Sequence, residues 1–334
     1  MLKDIKCSII SNIKADLDLE FIYSEEAKAY KCVPNIIELP GNNKHIMFSV
    51  VPQGRNVVLE IVPILTSQPV KIGSSVLVVN IPFVNNYGHI LHDVLPKLIR
   101  LDSCQAHCRI IISSSPLLEQ IIETLQIKFS DRLVFVNNRI DFNCDHLTYR
   151  SDPAFHIRDI NSTRLFKKRV EEFIQNNIQT TKRNRLIYYK REGRDVCHNR
   201  LMDSQNENDI IELLKHYAYQ NGLEFTLFNG LKNGSTMPHI EQIKLFREAR
   251  VVVGAHGSGL ANLVWCDPNN QCRVCELTSG TEVQVWGRVF NKNYNFLYGG
   301  MLGDFIDYSL IPFTKESNTN TTYIDINNLK KFLT

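Results

Sequence analysis

No apolar run in this chain approaches the ~18 residues that a membrane-crossing helix needs, so a bilayer-spanning segment is not expected. The opening residues, Met1-Leu2-Lys3-Asp4-Ile5-Lys6, are charged and lack the apolar core of a secretion signal. Charge of one sign is in short supply too. Thirty-eight Lys and Arg against 35 Asp and Glu leave a formal net charge of +3. That is too little for a phosphate-backbone binder, and no basic helix or aromatic RNA motif accompanies it, so nucleic acid is not an expected partner. Internal repeats and long low-complexity segments are missing. No G-x-x-x-x-G-K-[ST] occurs, which argues against a P-loop NTPase. The lack of a G-x-S-x-G elbow removes the hydrolase nucleophile, and the lack of G-x-G-x-x-G argues against a nicotinamide dehydrogenase.

Metal-site spacings are thin as well. Nine cysteines stand at positions 7, 32, 104, 108, 144, 197, 266, 272 and 275. An odd count without a secretion signal favours reduced thiols and a cytoplasmic location. Cys272-x-x-Cys275 is half a zinc site with no partner pair, so buried small hydrophobes are the better reading. Asp16-Leu17-Asp18 is the sole D-x-D, far upstream in an alternating stretch that reads as an exposed strand. His89-x-x-His92-Asp93 has no evident third ligand. No metal and no other cofactor is expected.

What is present is an ordinary globular composition, 43% hydrophobic and 22% charged, over 334 residues. That is enough for two medium α/β domains. In the first half, strands are predicted at Ile46–Val51, Val57–Val62, Ser75–Asn80, Cys108–Ile112 and Leu133–Val136, with helices across Gly88–Leu101 and Leu117–Leu125. A charged helix at 161–178 leads into the polar linker Gln179–Asn184, dividing a domain 1–178 from a domain 179–334. In the second half, strands are predicted at Arg185–Tyr189, Glu224–Phe228, Val251–Val253, Arg273–Leu277 and Asn295–Tyr298. Helices are predicted at Glu207–Tyr219, Ile240–Ala249, Leu260–Trp265 and Thr281–Asn291, with a short terminal one at Ile326–Leu333. Strand alternating with helix implies parallel sheets, hence two Rossmann-like domains.

The most informative stretch is Val251-Val252-Val253-Gly254-Ala255-His256-Gly257-Ser258-Gly259-Leu260-Ala261-Asn262. A β-branched run suits a buried strand. Gly254, Gly257 and Gly259 let the backbone turn and approach a ligand closely. A helix starting at Leu260 would aim free N–H groups and a positive dipole end at one point, an anion site. Such turns also occur in α/β proteins with nothing bound. Tyr188-Tyr189-Lys190-Arg191-Glu192-Gly193-Arg194 ends another strand in cations, placing Arg191 and Arg194 to meet phosphate oxygens, unless the run is plain solvated charge. Glu276 ends a third strand, where a carboxylate suits a ribose diol. Together these describe a nucleoside-diphosphate pocket.

In Asn86-Tyr87-Gly88-His89-Ile90-Leu91-His92-Asp93-Val94-Leu95-Pro96, a helical spacing of about 100° per residue puts His89, His92 and Asp93 on one face and Leu91, Val94 and Leu95 on the other. A His beside an Asp is a usable general base. The alternative is the solvated face of an amphipathic helix. Pro96 is a complication, since it breaks an interior helix bond.

The ordered set Asn86-x-x-His89…Asp93-x-Leu95-Pro96, Tyr189-x-Arg191, Asn206-Glu207, Glu241-Gln242, His256-Gly257-Ser258-Gly259-Leu260-Ala261-Asn262 and Glu276-Leu277 resembles glycosyltransferase family 61. The resemblance covers roughly residues 75–280, with Ser258 and Ala261 where the family usually carries Ala and Thr. It implies an α/β GT-B fold, two Rossmann-like domains facing a central cleft, with the donor on the C-terminal one. It implies inverting, metal-independent transfer from a nucleotide sugar, most often a UDP-sugar, to a glycan, glycolipid or glycoprotein hydroxyl. Peripheral association with the inner face of a membrane is compatible with such acceptors. Asp93 is preferred as base over His89, coupled to a histidine such as His92. Arg191, Arg194, His256, Gly257, Ser258, Gly259, Leu260, Asn262 and Glu276 are expected at the donor, with Asn206 and Glu207 as further motif positions. The competing readings are a non-catalytic nucleotide- or glycan-binding protein of the same fold, and a nucleotide-sugar epimerase.

Overall fold

A computed structural model describes residues 22–24, 29–31, 35–38, 46–53, 56–63, 70–71, 75–80, 84–100, 108–127, 130–138, 140–143, 146–151, 160–179, 182–191, 202–279, 298–315 and 322–334. The chain divides into two compact units, Met1–Ile90 with Lys97–Phe155, and Leu91–Pro96 with His156–Thr334. The division falls ahead of the charged helix, before the expected 178/179 boundary.

The first unit begins with β1 (Ile22–Ser24) and β2 (Ala29–Lys31), an antiparallel pair. There follow β3 (Asn35–Glu38), the hairpin β4 (Ile46–Gln53) and β5 (Asn56–Pro63), β6 (Val70–Lys71) and β7 (Ser75–Asn80). Next come the short helices α1 (Tyr87–His89) and α2 (Leu95–Arg100), then β8 (Cys108–Ser113), α3 (Pro116–Thr124), β9 (Leu133–Val136), β10 (Ile140–Asn143) and β11 (His146–Ser151). One sheet has the order β3-β11-β7-β8-β9, parallel except for β3, and a second has β5-β4-β10-β6. Val76, Val78 and Ile110–Ile112 are buried in the first sheet, as their β-branched run predicts. Ser115 starts α3, accepting from the Leu118 N–H at 3.3 Å and donating to the Val84 carbonyl at 2.6 Å.

The predicted helix over Gly88–Leu101 is not one α-helix. Asn86 Oδ1 caps α1 by accepting from the N–H groups of Gly88 and His89, at 3.0 and 3.3 Å. A wide π-turn, Ile90–Val94, then separates α1 from α2. Pro96 has no N–H to give and its ring crowds the preceding turn, and a locally widened turn absorbs both. The 100° spacing that grouped His89, His92 and Asp93 therefore fails across this turn.

The second unit opens with α4 (Ile160–Asn177), β12 (Arg185–Tyr189), α5 (Ser204–Gln220) and β13 (Glu224–Phe228). It continues through the small hairpin β14 (Leu231–Lys232) and β15 (Ser235–Thr236), then α6 (His239–Arg247), β16 (Ala249–Ala255), a 3-10 helix Ser258–Trp265 and β17 (Cys272–Ser279). It ends with α7 (Tyr298–Leu302), β18 (Ile306–Lys315), β19 (Thr322–Tyr323) and α8 (Ile326–Leu333). The strand expected at Asn295–Tyr298 is corrected: Tyr298 opens α7, and the strand beside β17 is β18. The expected helix Thr281–Asn291 lies outside the described residues, as does Asp16-x-Asp18.

The sheet order is β13-β12-β16-β17-β18-β19, parallel except for the last pair. Numbered along the chain, its five parallel strands run 2-1-3-4-5. In such a sheet the connections diverge to opposite sides between strands 1 and 3, here β12 and β16, leaving a crevice beyond their carboxyl ends. Leu186, Ile187, Tyr188 and Val251–Val253 are all buried at this centre. Helix α5 is capped by Asp203, which accepts from the Gln205 and Asn206 N–H groups at 3.0 Å each, and buries Ile210, Leu214 and Ala218 at four-residue spacing.

Two motif positions are explained by this packing. The Asn206 amide donates to the Ile324 carbonyl at 3.0 Å and accepts from the Ile324 N–H at 2.7 Å, stitching the C-terminal segment to α5. Glu207 accepts from the Tyr188 hydroxyl at 3.0 Å. Asn206→Ala removes both bonds to Ile324, and a loss of about 1–3 kcal/mol in urea unfolding is expected. A second expectation concerns buried His239 at the start of α6, whose imidazole burial holds below its ordinary pKa of 6.5. The unfolded chain then binds the extra proton first, so stability is complete above about pH 6.5 and falls as pH drops toward the folded value. His239→Gln flattens that acid slope relative to wild type in unfolding curves taken from pH 7.5 to 5.

Candidate active site

The carboxyl ends of β12 and β16, at the divergence point, carry the conspicuous motifs. Beyond β16 the His256 N–H still donates to the Leu277 carbonyl at 2.7 Å, so the strand ladder carries His256 to the carboxyl end of the sheet. Beyond β12, Arg191 Nη1 donates to the His256 carbonyl at 2.7 Å. The cationic strand end and the glycine turn are thus brought together as expected.

The glycines also make room for protein neighbours. A Cβ on Gly254 would stand 2.6 Å from Tyr189 Cβ, and one on Gly259 would stand 2.2 Å from Tyr189 Cε2. At Gly257 a Cβ would lie 3.0 Å from Arg191 Nη1. Gly254 lets the Tyr189 backbone and Cβ approach, Gly259 makes room for the Tyr189 ring, and Gly257 for the guanidinium. The ring contacts Phe228 as well, with centroids 6.1 Å apart. Tyr189 is therefore the residue on which the turn is folded.

The segment after the turn is a 3-10 helix, Ser258–Trp265, where a helix from Leu260 was predicted. Three-residue spacings dominate its bonds. Leu260 N–H donates to the Gly257 carbonyl at 3.0 Å, and Asn262 Nδ2 to the Gly259 carbonyl at 3.0 Å. Trp265 Nε1 donates to Asn262 Oδ1 at 2.9 Å. Asn262 Nδ2 also donates to Gln242 Oε1 at 3.1 Å, joining two motif positions. Leu260 and Asn262 have no accessible side-chain surface, so their part is to hold the turn. At the far end, the buried Lys167 ammonium donates to the Val264 and Cys266 carbonyls at 2.5 Å each, and pairs with Glu171 at 2.8 Å. A cation there meets the negative end of the helix. Burial pushes Lys167 below the usual lysine range while Glu171 opposes that shift.

Glu276 is 0% exposed and cannot meet a ribose directly in this structure. Its Oε1 accepts from His256 Nδ1, while Oε2 accepts from the Tyr308 hydroxyl at 2.7 Å and the Tyr298 N–H at 3.2 Å. The carboxylate thereby fixes the orientation of the His256 imidazole, which is itself 5% exposed. Burial, then the adjacent carboxylate, pushes the Tyr308 hydroxyl far above its ordinary range, so it remains a neutral donor. The same two causes push the Cys275 thiol up to about 12.

His92 and Asp93 fall in the second unit and His89 in the first. His92 is buried and its Nε2 donates to the Ala261 carbonyl at 3.0 Å, so it holds the 3-10 segment. Asp93 is 1% exposed, whereas His89 is half-buried and has surface to offer. The polar face expected on this helix is not a solvated one. Arg194 lies outside the described residues. Cys272 and Cys275 are buried free thiols, and among the described residues no group of three or more His, Cys, Asp or Glu could hold a metal ion.

The sequence pattern of the family described as glycosyltransferase 61 matches residues 87–275, more than half of the chain. The chain belongs to glycosyltransferase family 61. It is a glycosyltransferase, and the binding-protein and epimerase alternatives give way to that assignment. The matched span runs from α1 through the glycine turn into β17; Glu276, Tyr298 and Tyr308 follow it. No curated protein matches the chain. Among solved structures, the bacterial iron-containing dodecameric glycosyltransferase TibC from enterotoxigenic E. coli H10407 is 11% identical, over 86% of this chain and 83% of that one, with a TM-score of 0.38. TibC described as a heptosyltransferase in complex with ADP-D-β-D-heptose is 11% identical over 72% and 74%, with a TM-score of 0.36. Similarity this distant carries no argument about the chemistry of this glycosyltransferase.

Tyr189, Tyr298, Tyr308 and Lys167 were not marked by the sequence motifs as site residues. Only Tyr189 had a local signal, its place in Tyr189-x-Arg191. Gly259→Ala forces a methyl into the Tyr189 ring, and a stability loss of about 1–3 kcal/mol is expected from overpacking. Tyr189→Leu in the same chain relieves the overlap, so the double variant loses less than the sum of the singles in urea unfolding.

Proposed function

We propose that this glycosyltransferase moves a sugar from a nucleotide-sugar donor, a UDP-sugar in the first instance, to a hydroxyl of a glycan, glycolipid or glycoprotein, with inversion and without a metal. The observation that carries this reading is His256, oriented by the buried Glu276 carboxylate and standing at the sheet's divergence point beside Arg191. As an imidazolium, with its Nδ1–H committed to the carboxylate, His256 would present its second N–H to a phosphate oxygen, and the guanidinium beside it adds fixed positive charge. Together they supply the charge stabilisation that a metal ion provides in other transferases.

In the proposed reaction the acceptor oxygen attacks the anomeric carbon as the bond from that carbon to the diphosphate oxygen breaks. The bonding electron pair leaves on the diphosphate, where the His256 imidazolium and Arg191 meet it. The acceptor proton passes to a base. Asp93 is the base favoured from sequence; in this reading the half-buried His89, which has surface to offer, takes that role. We further propose a GT-B organisation with the donor on the second unit and the acceptor on the first, supported by a mainly parallel α/β sheet in each. Cysteine usage and the buried thiols Cys266, Cys272 and Cys275 support a cytoplasmic setting, with membrane-surface work where the acceptor is a glycolipid.

UDP is expected to raise the melting temperature in the presence of EDTA, since it binds only the folded chain. Stabilisation that requires Mn²⁺ or Mg²⁺ overturns metal independence. Arg191→Ala weakens UDP binding by about 1.5–3 kcal/mol in calorimetry. His89→Gln lowers kcat by ~10²–10⁴-fold with UDP affinity retained, the scale of a lost general base. Wild-type kcat in that variant, with Asp93→Asn inactive yet stably folded, returns the base to Asp93.

A further inference from the structure

Tyr298 lies beyond the family-matched span, yet three kinds of contact converge on it. Its backbone N–H donates to Glu276 Oε2 at 3.2 Å, and its hydroxyl donates to the Gly257 carbonyl at 3.0 Å. Its ring packs against the rings of both His92 and His256, with centroids 5.1 and 5.6 Å away. The side chain is 3% exposed, so it acts through its neighbours and not by touching a ligand.

We propose that Tyr298 is a positioning residue for glycosyl transfer, its hydroxyl setting the Gly257–Ser258 peptide plane while its N–H and ring set the His256–Glu276 pair. The assignment rests on the reading of this turn as the diphosphate cradle. A trans peptide is planar, with C=O and N–H pointing opposite ways. Donors from Tyr298 and Leu260 pull the Gly257 carbonyl to one side, each at 3.0 Å, and so aim the Ser258 N–H to the other. Glycine 257 has no side chain of its own to restrain that plane, so hydrogen bonds on its carbonyl must do it. On the other flank, Glu276 Oε2 is held by Tyr298 and Tyr308 together, which leaves Oε1 to fix His256. Tyr308 shares this second task, while the bond to the Gly257 carbonyl comes from Tyr298. The two tyrosines therefore separate the two tasks.

The experiment uses the full chain with Tyr298→Phe, Tyr298→Leu and Tyr308→Phe, reading UDP affinity, kcat against donor KM, melting temperature and the His256 ring NMR resonances. Tyr298→Phe keeps the ring and loses the bond to Gly257. UDP affinity and donor KM worsen about 3–10-fold, the scale of one neutral hydrogen bond, with kcat within about threefold and the His256 resonances unmoved. Tyr308→Phe falls on kcat and shifts the His256 resonances. Tyr298→Leu does both. Wild-type UDP affinity in Tyr298→Phe, or unmoved His256 resonances in Tyr298→Leu, overturns the assignment. Failure of UDP and other nucleoside diphosphates to bind wild type overturns the donor reading instead, and the His256 spectra still decide whether Tyr298 holds the pair. If Tyr298→Leu does not fold, Tyr298→Phe against Tyr308→Phe decides.

Discussion

A carboxylate with no exposed surface is the constraint around which the second unit is organised. Removing Glu276 from water costs several kcal/mol unless its oxygens are met by donors. Those donors come from separate parts of the chain: His256 after β16, Tyr298 at the start of α7 and Tyr308 on β18. Satisfying one side chain on β17 therefore ties together the glycine turn, α7 and the strand beyond. Because the partner on the turn is a histidine bonded through Nδ1, the same satisfaction gives Nε2 a fixed direction. Stability of the fold and preparation of the site are two consequences of one set of hydrogen bonds.

The turn is braced on its other sides by groups of opposite character. Tyr189 fills the space that glycine leaves empty, Arg191 and Tyr298 hold successive carbonyls, and Gln242 holds Asn262. Lys167 takes the carbonyls where the 3-10 helix ends, inside a network with Glu171, Arg247 and Asp267. With its carbonyls and side chains committed to protein partners, the turn is preorganised. Preorganised dipoles stabilise developing charge without reorganising during the reaction, which suits departure of a diphosphate.

Much of this was legible in the sequence at the level of place and less at the level of role. β-branched runs and alternating helical patterns located the central strands of both units, since fully buried parallel strands demand that composition. The ordered motifs located Arg191, His256 and Glu276. Their roles shifted once packing was known. Glu276 orients a histidine where a ribose contact was expected, Asn206 stitches a terminal segment, and Leu260 and Asn262 are internal. The helical face expected over Gly88–Leu101 is interrupted by a π-turn ahead of Pro96, which no 3.6-residue periodicity anticipates.

By itself, the sequence determined an α/β chain of two halves and a glycine turn at a strand end. It also determined a set of motif residues that marks family 61, because local propensity and short-range spacing are written into the order of residues. Only tertiary structure decided what each of those residues faces. Tyr189 and Gly259 stand seventy residues apart, as do His256 and Tyr298 by more than forty, and spacing carries no information about such pairs. Their meeting follows from strand order 2-1-3-4-5, which places the ends of β12, β16 and β17 side by side. A buried carboxylate then selects, among all donors that the order brings near, those that satisfy it.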